Sequence, residues 1–123
     1  MKKYQFAYKV VAGYRGNTYQ SARYGGTVYY KQDEHTLPPK GTKLFVFDTA
    51  EHARAFAFKS EEIWFALVSN PERPKFFTSS TNEIREFWRS RQNKKRILCQ
   101  QRATPPKGTL FVDSVMLLYR VDN

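Results

Sequence analysis

Residues 44–57, LFVFDTAEHARAFA, pass from a strand signature to a helix signature with no loop between them. Leu44–Phe47 is a short apolar run of the residue types that fit a pleated surface. Asp48 follows with a side-chain oxygen suited to an N-cap, and Glu51, three positions on, completes a capping box. Beyond it Ala53, Phe56 and Ala57 recur at i, i+3 and i+4, one apolar stripe suited to lie on a sheet. A strand feeding straight into a sheet-packing helix sets the class as α+β.

The flanking segments extend the same reading. Residues 4–12 alternate with the period of a strand, which puts Tyr4, Phe6, Tyr8 and Val10 on one face. Residues 13–17 read as a turn, 18–24 as a second strand, and 27–30 as its hairpin partner after Gly25-Gly26. Residues 31–42, KQDEHTLPPKGT, read as loop, because Pro38-Pro39 and Gly41 do not suit a regular element. Residues 63–69 are apolar on both faces, as a central strand should be, and Pro71 and Pro74 break the chain after it. A second helix is expected from about Ser80, with Glu83 in the capping-box position and Ile84, Phe87 and Trp88 as its buried stripe. Lys94–Arg96 would end it, residues 97–101 would return as a strand, and the last strand would run through 115–118. The expected architecture is a single α+β domain over residues 1–123, a mostly antiparallel sheet of six to seven strands with two helices packed on it.

One segment is echoed. Residues 38–48 read PPKGTKLFVFD and residues 105–113 read PPKGTLFVD. A phosphate loop would need a longer Gly-rich stretch running from a strand into a helix. Here Lys-Gly-Thr leads into a strand both times, so the two copies read as rigid lead-ins to sheet strands.

At 123 residues, 41% hydrophobic and 16% aromatic, the chain is long enough for one core. Cys99 is the only cysteine, so no internal disulfide can form; a buried structural thiol and a reducing cytoplasm are the expectation. The longest apolar runs, residues 63–68 and 115–119, fall far short of the ~20 residues that span a bilayer, and no membrane partner is expected. His35 and His52 lack a second His or Cys at ligand spacing, so neither a metal nor another cofactor is implied, and His52 is expected to face solvent. No G-x-S-x-G elbow or comparable nucleophile constellation is present. The hydroxyl run Thr78-Ser79-Ser80-Thr81 is similar to the Ser-Thr-Ser strand of ADP-ribosyltransferases. The later acids Glu83 and Glu86 fall on the expected helix, however, and helix capping explains the hydroxyls better. A non-enzymatic protein is the expectation.

Charge is the strongest functional signal. Residues 1–32 hold six Lys/Arg and no acid, residues 33–84 hold six against eight acids, and residues 85–123 hold nine against three, for a net +10. On the expected second helix Arg85, Arg89, Gln92 and Arg96 fall at i, i+4, i+7 and i+11, away from the Ile84/Phe87/Trp88 stripe. Arg91, Lys94 and Lys95 lie close by. Guanidinium forks bond phosphate oxygens in pairs. The N-terminal hairpin adds Arg15, Arg23, Tyr14, Tyr19 and Tyr24 as a second wall, with rings able to stack on bases. The expected partner is an anionic ligand, RNA, DNA or a nucleotide, held by sequestration or occlusion. Two other readings stand beside it: an inhibitor docking on an acidic surface of a host or defence protein, and a small nucleotide-processing enzyme. Homodimerisation through an open edge strand is compatible with either.

The opening Tyr8-Lys9-Val10-Val11, Ser21-Ala22 in the next strand, residues 41–48 followed by Ala53 and Phe56, and the closing Pro106-x-Gly108-Thr109 with Asp113-x-Val115 give a layout across most of the chain. That layout resembles small accessory proteins encoded by bacteriophages and mobile elements. The resemblance implies a compact protein that acts by binding host or defence components, and it carries no catalytic residue.

Overall fold

A computed structural model describes residues 2–15, 18–21, 28–78, 88 and 102–121. The strands are β1 (Tyr4–Arg15), β2 (Thr18–Ser21), β3 (Tyr29–Lys31), β4 (His35–Thr36), β5 (Leu44–Phe47), β6 (Glu62–Ser69), β7 (Phe77–Thr78), β8 (Arg102–Ala103), β9 (Thr109–Val112) and β10 (Ser114–Val121), with helix α1 (Ala50–Phe56) between β5 and β6. The class is α+β, as expected, and its main sheet has eight strands where six to seven were expected. Six of them lie side by side in the order β3-β2-β1-β6-β10-β4; β5 joins through β1 and carries β9. A separate two-stranded ribbon pairs β7 with β8.

The central strand is β6, antiparallel to β1 on one side and to β10 on the other. The two ends of the six-strand path meet in one stretch of chain. β3 pairs with β2, and four residues later β4 pairs with β10. Between them Gln32 bridges Leu117, and the Asp33 N–H donates to the Leu117 carbonyl at 2.8 Å. Asp33 adopts φ 64, a left-handed conformation that Asp tolerates. The segment expected to be loop therefore supplies the strand that closes the sheet on itself.

Closure decides which face is inside. Tyr4, Phe6, Tyr8 and Val10 do share a face, but it is the outer one. The interior is lined by Ala7 and Val11 from β1, Ala66 and Val68 from β6, and Val115 and Leu117 from β10, joined by Leu44, Val46, Leu110 and Val112 of the β5–β9 pair. Small and branched side chains over most of that lining leave space for two buried rings, Tyr30 and Trp64, with Tyr19 packed against them, while Phe6, Phe65 and Tyr119 fall on the outer positions of the register. α1 covers one end of the outer face: Ala53 is fully buried, and Phe56 and Ala57 pack with Tyr8, Val10, Phe47 and Ile63, the stripe read from the sequence.

The α1 cap sits one residue later than expected. Thr49 is the N-cap, its hydroxyl accepting from the His52 N–H at 3.1 Å. Asp48 is diverted to side chains: His52 Nδ1–H donates to its Oδ1 at 2.6 Å and Arg73 to its Oδ2 at 3.1 Å. Partial burial pushes the Asp48 carboxyl up, and those hydrogen bonds with the attending charges more than reverse it, so it stays ionised below the usual carboxylate range. His52 is thus a half-buried partner, not the solvent-facing side chain expected.

The PPKGT echo is a structural one. In each copy Gly has positive φ, 80° at Gly41 and 85° at Gly108, as the third residue of a type II turn requires. Thr42 donates to the Pro39 carbonyl through N (3.0 Å) and Oγ1 (2.7 Å), and Thr109 does the same to Pro106 (3.1 and 2.6 Å). The strands they launch pair with each other, Leu44 opposite Val112, Phe45 opposite Phe111 and Val46 opposite Leu110. The two LFV triplets are therefore related by a local two-fold through Phe45 and Phe111. Gly108 has a further constraint, since a Cβ there would overlap His52 Nδ1 and Asp48 Oδ1.

Of the expected second helix, Trp88 is helical and buried, its ring 5.2 Å from that of Phe111. The rest of residues 80–96, the expected strand 97–101 and Cys99 lie outside the described residues.

Candidate functional site

On the outer face of β1, β6 and β10, beyond the end of α1, aromatic rings stand in a row. Register sets Tyr8 opposite Phe65 and Phe65 opposite Tyr119. Phe6 stacks on Phe65 with centroids 4.9 Å apart and an interplanar angle of 23°; Tyr8 and Tyr119 flank Phe65 at 5.5 and 5.0 Å. Phe6 remains 58% exposed, Tyr119 56% and Tyr4 52%. Contacting aromatic pairs of this kind contribute roughly 0.5–1.5 kcal/mol beyond their area. Leaving so much apolar ring area in water nonetheless marks a surface meant to be covered.

The place of Tyr119 in that row depends on a bulge. Leu117 faces inward opposite Ala66, and simple alternation would turn Leu118 outward opposite Phe65. The register shift between Leu117 and Tyr119 delivers Tyr119 there instead. Bulges of this type re-aim a side chain at the cost of one unpaired residue. Here the strand gains an outward phenol, and Gln32 Nε2 donates to the displaced Leu118 carbonyl at 2.9 Å.

The platform carries no negative charge. Its outward positions on β6 and β10 are Ile63, Phe65, Leu67, Ser69, Ser114, Met116, Tyr119 and Val121, with no carboxylate among them, and the same holds for Tyr4, Phe6, Tyr8 and Val10 on β1. Exposed Lys2 and Lys3 stand at the head of β1. Two acids elsewhere are engaged: Asp113 takes Lys43 at 2.7 Å and Asn70 at 2.8 Å, and Glu62 lies 3.8 Å from Arg120. Burial raises the Asp113 carboxyl, and its bonds from Lys43 and Asn70 bring it below the usual range.

Beyond β10 the row reaches β4. His35 pairs with Met116, and the Tyr4 ring lies 6.5 Å from the His35 ring. There the β3–β4 segment forms an open pocket of about 320 Å³ lined by Tyr29, Lys31, Glu34, His35 and Thr36.

The residues singled out from the sequence fare unevenly. Tyr19 turns inward: its ring lies 4.9 Å from Trp64 and packs on the interior cluster, so it is a core residue and no wall for a ligand. Tyr14 and Arg15 are the last residues of β1, where Arg15 pairs with Thr18. Arg23, Tyr24, Arg85, Arg89, Arg91, Lys94, Lys95 and Arg96 lie outside the described residues. The rings that do form a surface, Phe6, Phe65 and Tyr119, carried no sequence signal of exposure. Phe65 sits in a run apolar on both faces, and Tyr119 is displaced by a bulge that local pattern does not announce.

Inside the barrel lies a fully buried charged group. Lys9 is 1% exposed; its Nζ donates to the Phe45 carbonyl at 2.8 Å and stands over the Phe45 and Tyr30 rings at 4.3 and 5.2 Å. Burial lowers its pKa to about 7. The Tyr30 hydroxyl, also buried, has no hydrogen-bond partner among the described residues, and burial raises its pKa. Both groups are sealed from the outer face. No described helix is long and apolar enough to cross a membrane. Comparison with protein-family models, with curated proteins and with solved structures finds no match to this chain.

Proposed function

We propose that this protein binds single-stranded nucleic acid, with bases lying on the Phe6–Phe65–Tyr119 platform and phosphates held by its cationic surface. The reading rests on one observation: a half-buried Phe65 in ring contact with both Phe6 and Tyr119, each more than half exposed, on a sheet face without a carboxylate. Every base has a π-face, so such a platform is tolerant of sequence, and stacking on aromatics is worth ~1–3 kcal/mol per base. Unpaired bases can reach the rings, whereas the bases of a duplex are already stacked. The net charge of +10 supplies the second half of the interaction, attraction to the backbone through counterion release. The mechanism is occlusion of the strand, with no bond made or broken.

The test is fluorescence anisotropy of a labelled oligothymidylate and of a duplex of equal length. The single strand should bind more tightly, and its affinity should fall log-linearly with salt. Replacing both Phe6 and Tyr119 by Ala should cost ~1–3 kcal/mol for each ring removed. A double variant that binds as well as the parent protein would refute the platform.

A further inference from the structure

We infer that the β3–β4 pocket is a guanine-selective subsite at the rim of the aromatic platform. This deepens the proposed function and rests on it for the strand that would bring a base there.

The pocket is a built corner. Its turn is closed by the Glu34 N–H donating to the Lys31 carbonyl at 3.3 Å. It is pinned to β10 from below by Asp33 N–H to the Leu117 carbonyl and Gln32 Nε2 to the Leu118 carbonyl. The same bulge that turns Tyr119 outward thus offers the carbonyl that anchors the pocket. At about 320 Å³ it lies at the small end of the range for ligand sites, ~300–1,000 Å³, enough for one base and its sugar. It continues the platform, since His35 at its edge neighbours the Tyr4 ring.

Its lining mixes charge of both signs. Lys31 and Glu34 both face the pocket, and neither side chain makes an ion pair with a described residue. An ammonium offers only donors and a carboxylate only acceptors. Guanine is the base whose Watson–Crick edge meets both carboxylate oxygens and the ammonium together: two adjacent N–H donors, N1–H and N2–H, for the carboxylate, and the O6 acceptor for the ammonium. Adenine and cytosine also set an acceptor beside a donor there, but their single amino group meets only one carboxylate oxygen. Uracil and thymine present one N–H between two carbonyls, which a carboxylate repels. Tyr29, 51% exposed, gives the base a ring to lie against. Single-stranded bases are read through this edge because it is free of a pairing partner.

The experiment compares oligothymidylate with the same oligomer carrying one central guanine or one central adenine, together with GMP and AMP as separate probes. One guanine should raise affinity about tenfold over one adenine, as a bidentate base contact does. E34Q should shrink that preference to within about twofold without weakening oligothymidylate binding, because glutamine offers one acceptor and opposes the other donor. Amide NMR shifts at Thr36 and His35 should respond to GMP and not to AMP. Equal responses to GMP and AMP would overturn the subsite whether or not the platform binds oligothymidylate. Selective GMP shifts without oligothymidylate binding would keep the pocket and remove the platform.

Discussion

β1, β6 and β10 have two faces of opposite character, although every residue pair in them is set by one register. Inside stand Ala7, Val11, Ala66, Val115 and Leu117, all fully buried. Outside, on alternate positions, the same strands carry Phe6, Phe65 and Tyr119. The outer face is itself divided: Val10 and Ile63 lie buried near α1, and beyond it Phe6 and Tyr119 lie more than half exposed on either side of a half-buried Phe65. What separates the regions is cover rather than hydrophobicity. The interior already holds the Tyr30 and Trp64 rings with Tyr19 packed against Trp64, and a helix as short as Ala50–Phe56 cannot roof the whole outside. The surplus aromatic surface is left for a partner.

That division predicts opposite consequences for two substitutions on neighbouring strands. Leu117→Ala empties space in a close-packed interior that cannot collapse, and should lower stability by ~2–5 kcal/mol in urea or thermal unfolding. Phe6→Ala removes a ring that is more than half in water, and should leave the unfolding midpoint nearly unmoved while weakening oligonucleotide binding. A destabilised Phe6→Ala protein, or a stable Leu117→Ala one, would show that inside and outside have been assigned the wrong way round.

Lys9 is the exception within the interior, and it sharpens the comparison through pH. Its pKa is about 7 in the folded protein and near 10.5 when exposed, so the unfolded chain binds more protons between these values. Stability should therefore rise as pH increases from about 7 toward 10, by roughly 1.4 kcal/mol per pH unit at most, and should level off well below 7 where both states are protonated. Burial raises the Tyr30 pKa above its ordinary value of 10.0, so the fold prefers the neutral phenol and stability should turn down above pH 10. Lys9→Met removes the charge at similar volume, and should abolish the rise while raising stability at pH 7. Denaturant midpoints measured from pH 6 to 11 decide it: a wild-type curve flat from 7 to 10 would mean that water reaches Nζ. Tyr30→Phe should be nearly neutral at pH 7, since the hydroxyl it deletes has no described partner.

Local chemistry was legible in the sequence. The Ala53/Phe56/Ala57 stripe, the buried Trp88 and the PPKGT lead-ins each follow from periodicity or from a turn that needs glycine at one position. The partition of β1 was legible too, because period two puts Tyr4, Phe6, Tyr8 and Val10 together. Which side faces inward was not, since that depends on closure through Gln32 and Leu117, residues 85 positions apart whose pairing leaves no local mark. The cap was misplaced for a similar reason: Asp48 and Thr49 are both capping residues, and Arg73 from a distant loop draws Asp48 away. The sequence thus announced the charge of the candidate site and concealed its geometry. The platform rests on a bulge at Leu118 and on closure of the whole sheet, while Tyr19, read as a ligand wall, fills the interior against Trp64.

The smallest expected effect probes the border between the roofed and bare parts of the outer face. Thr49 holds the first turn of α1 by accepting from His52 N–H, and its loss leaves an N–H without that partner. Thr49→Ala should cost ~1 kcal/mol of stability. The roof it loosens lies over Val10 and Ile63, not over Phe6 and Tyr119, so affinity for single strands should stay within about twofold, well inside the tenfold that ~1.4 kcal/mol represents. If Thr49→Ala instead weakened binding as much as Phe6→Ala, α1 would belong to the binding surface. The bare rings would then be only part of a larger interface running over the helix.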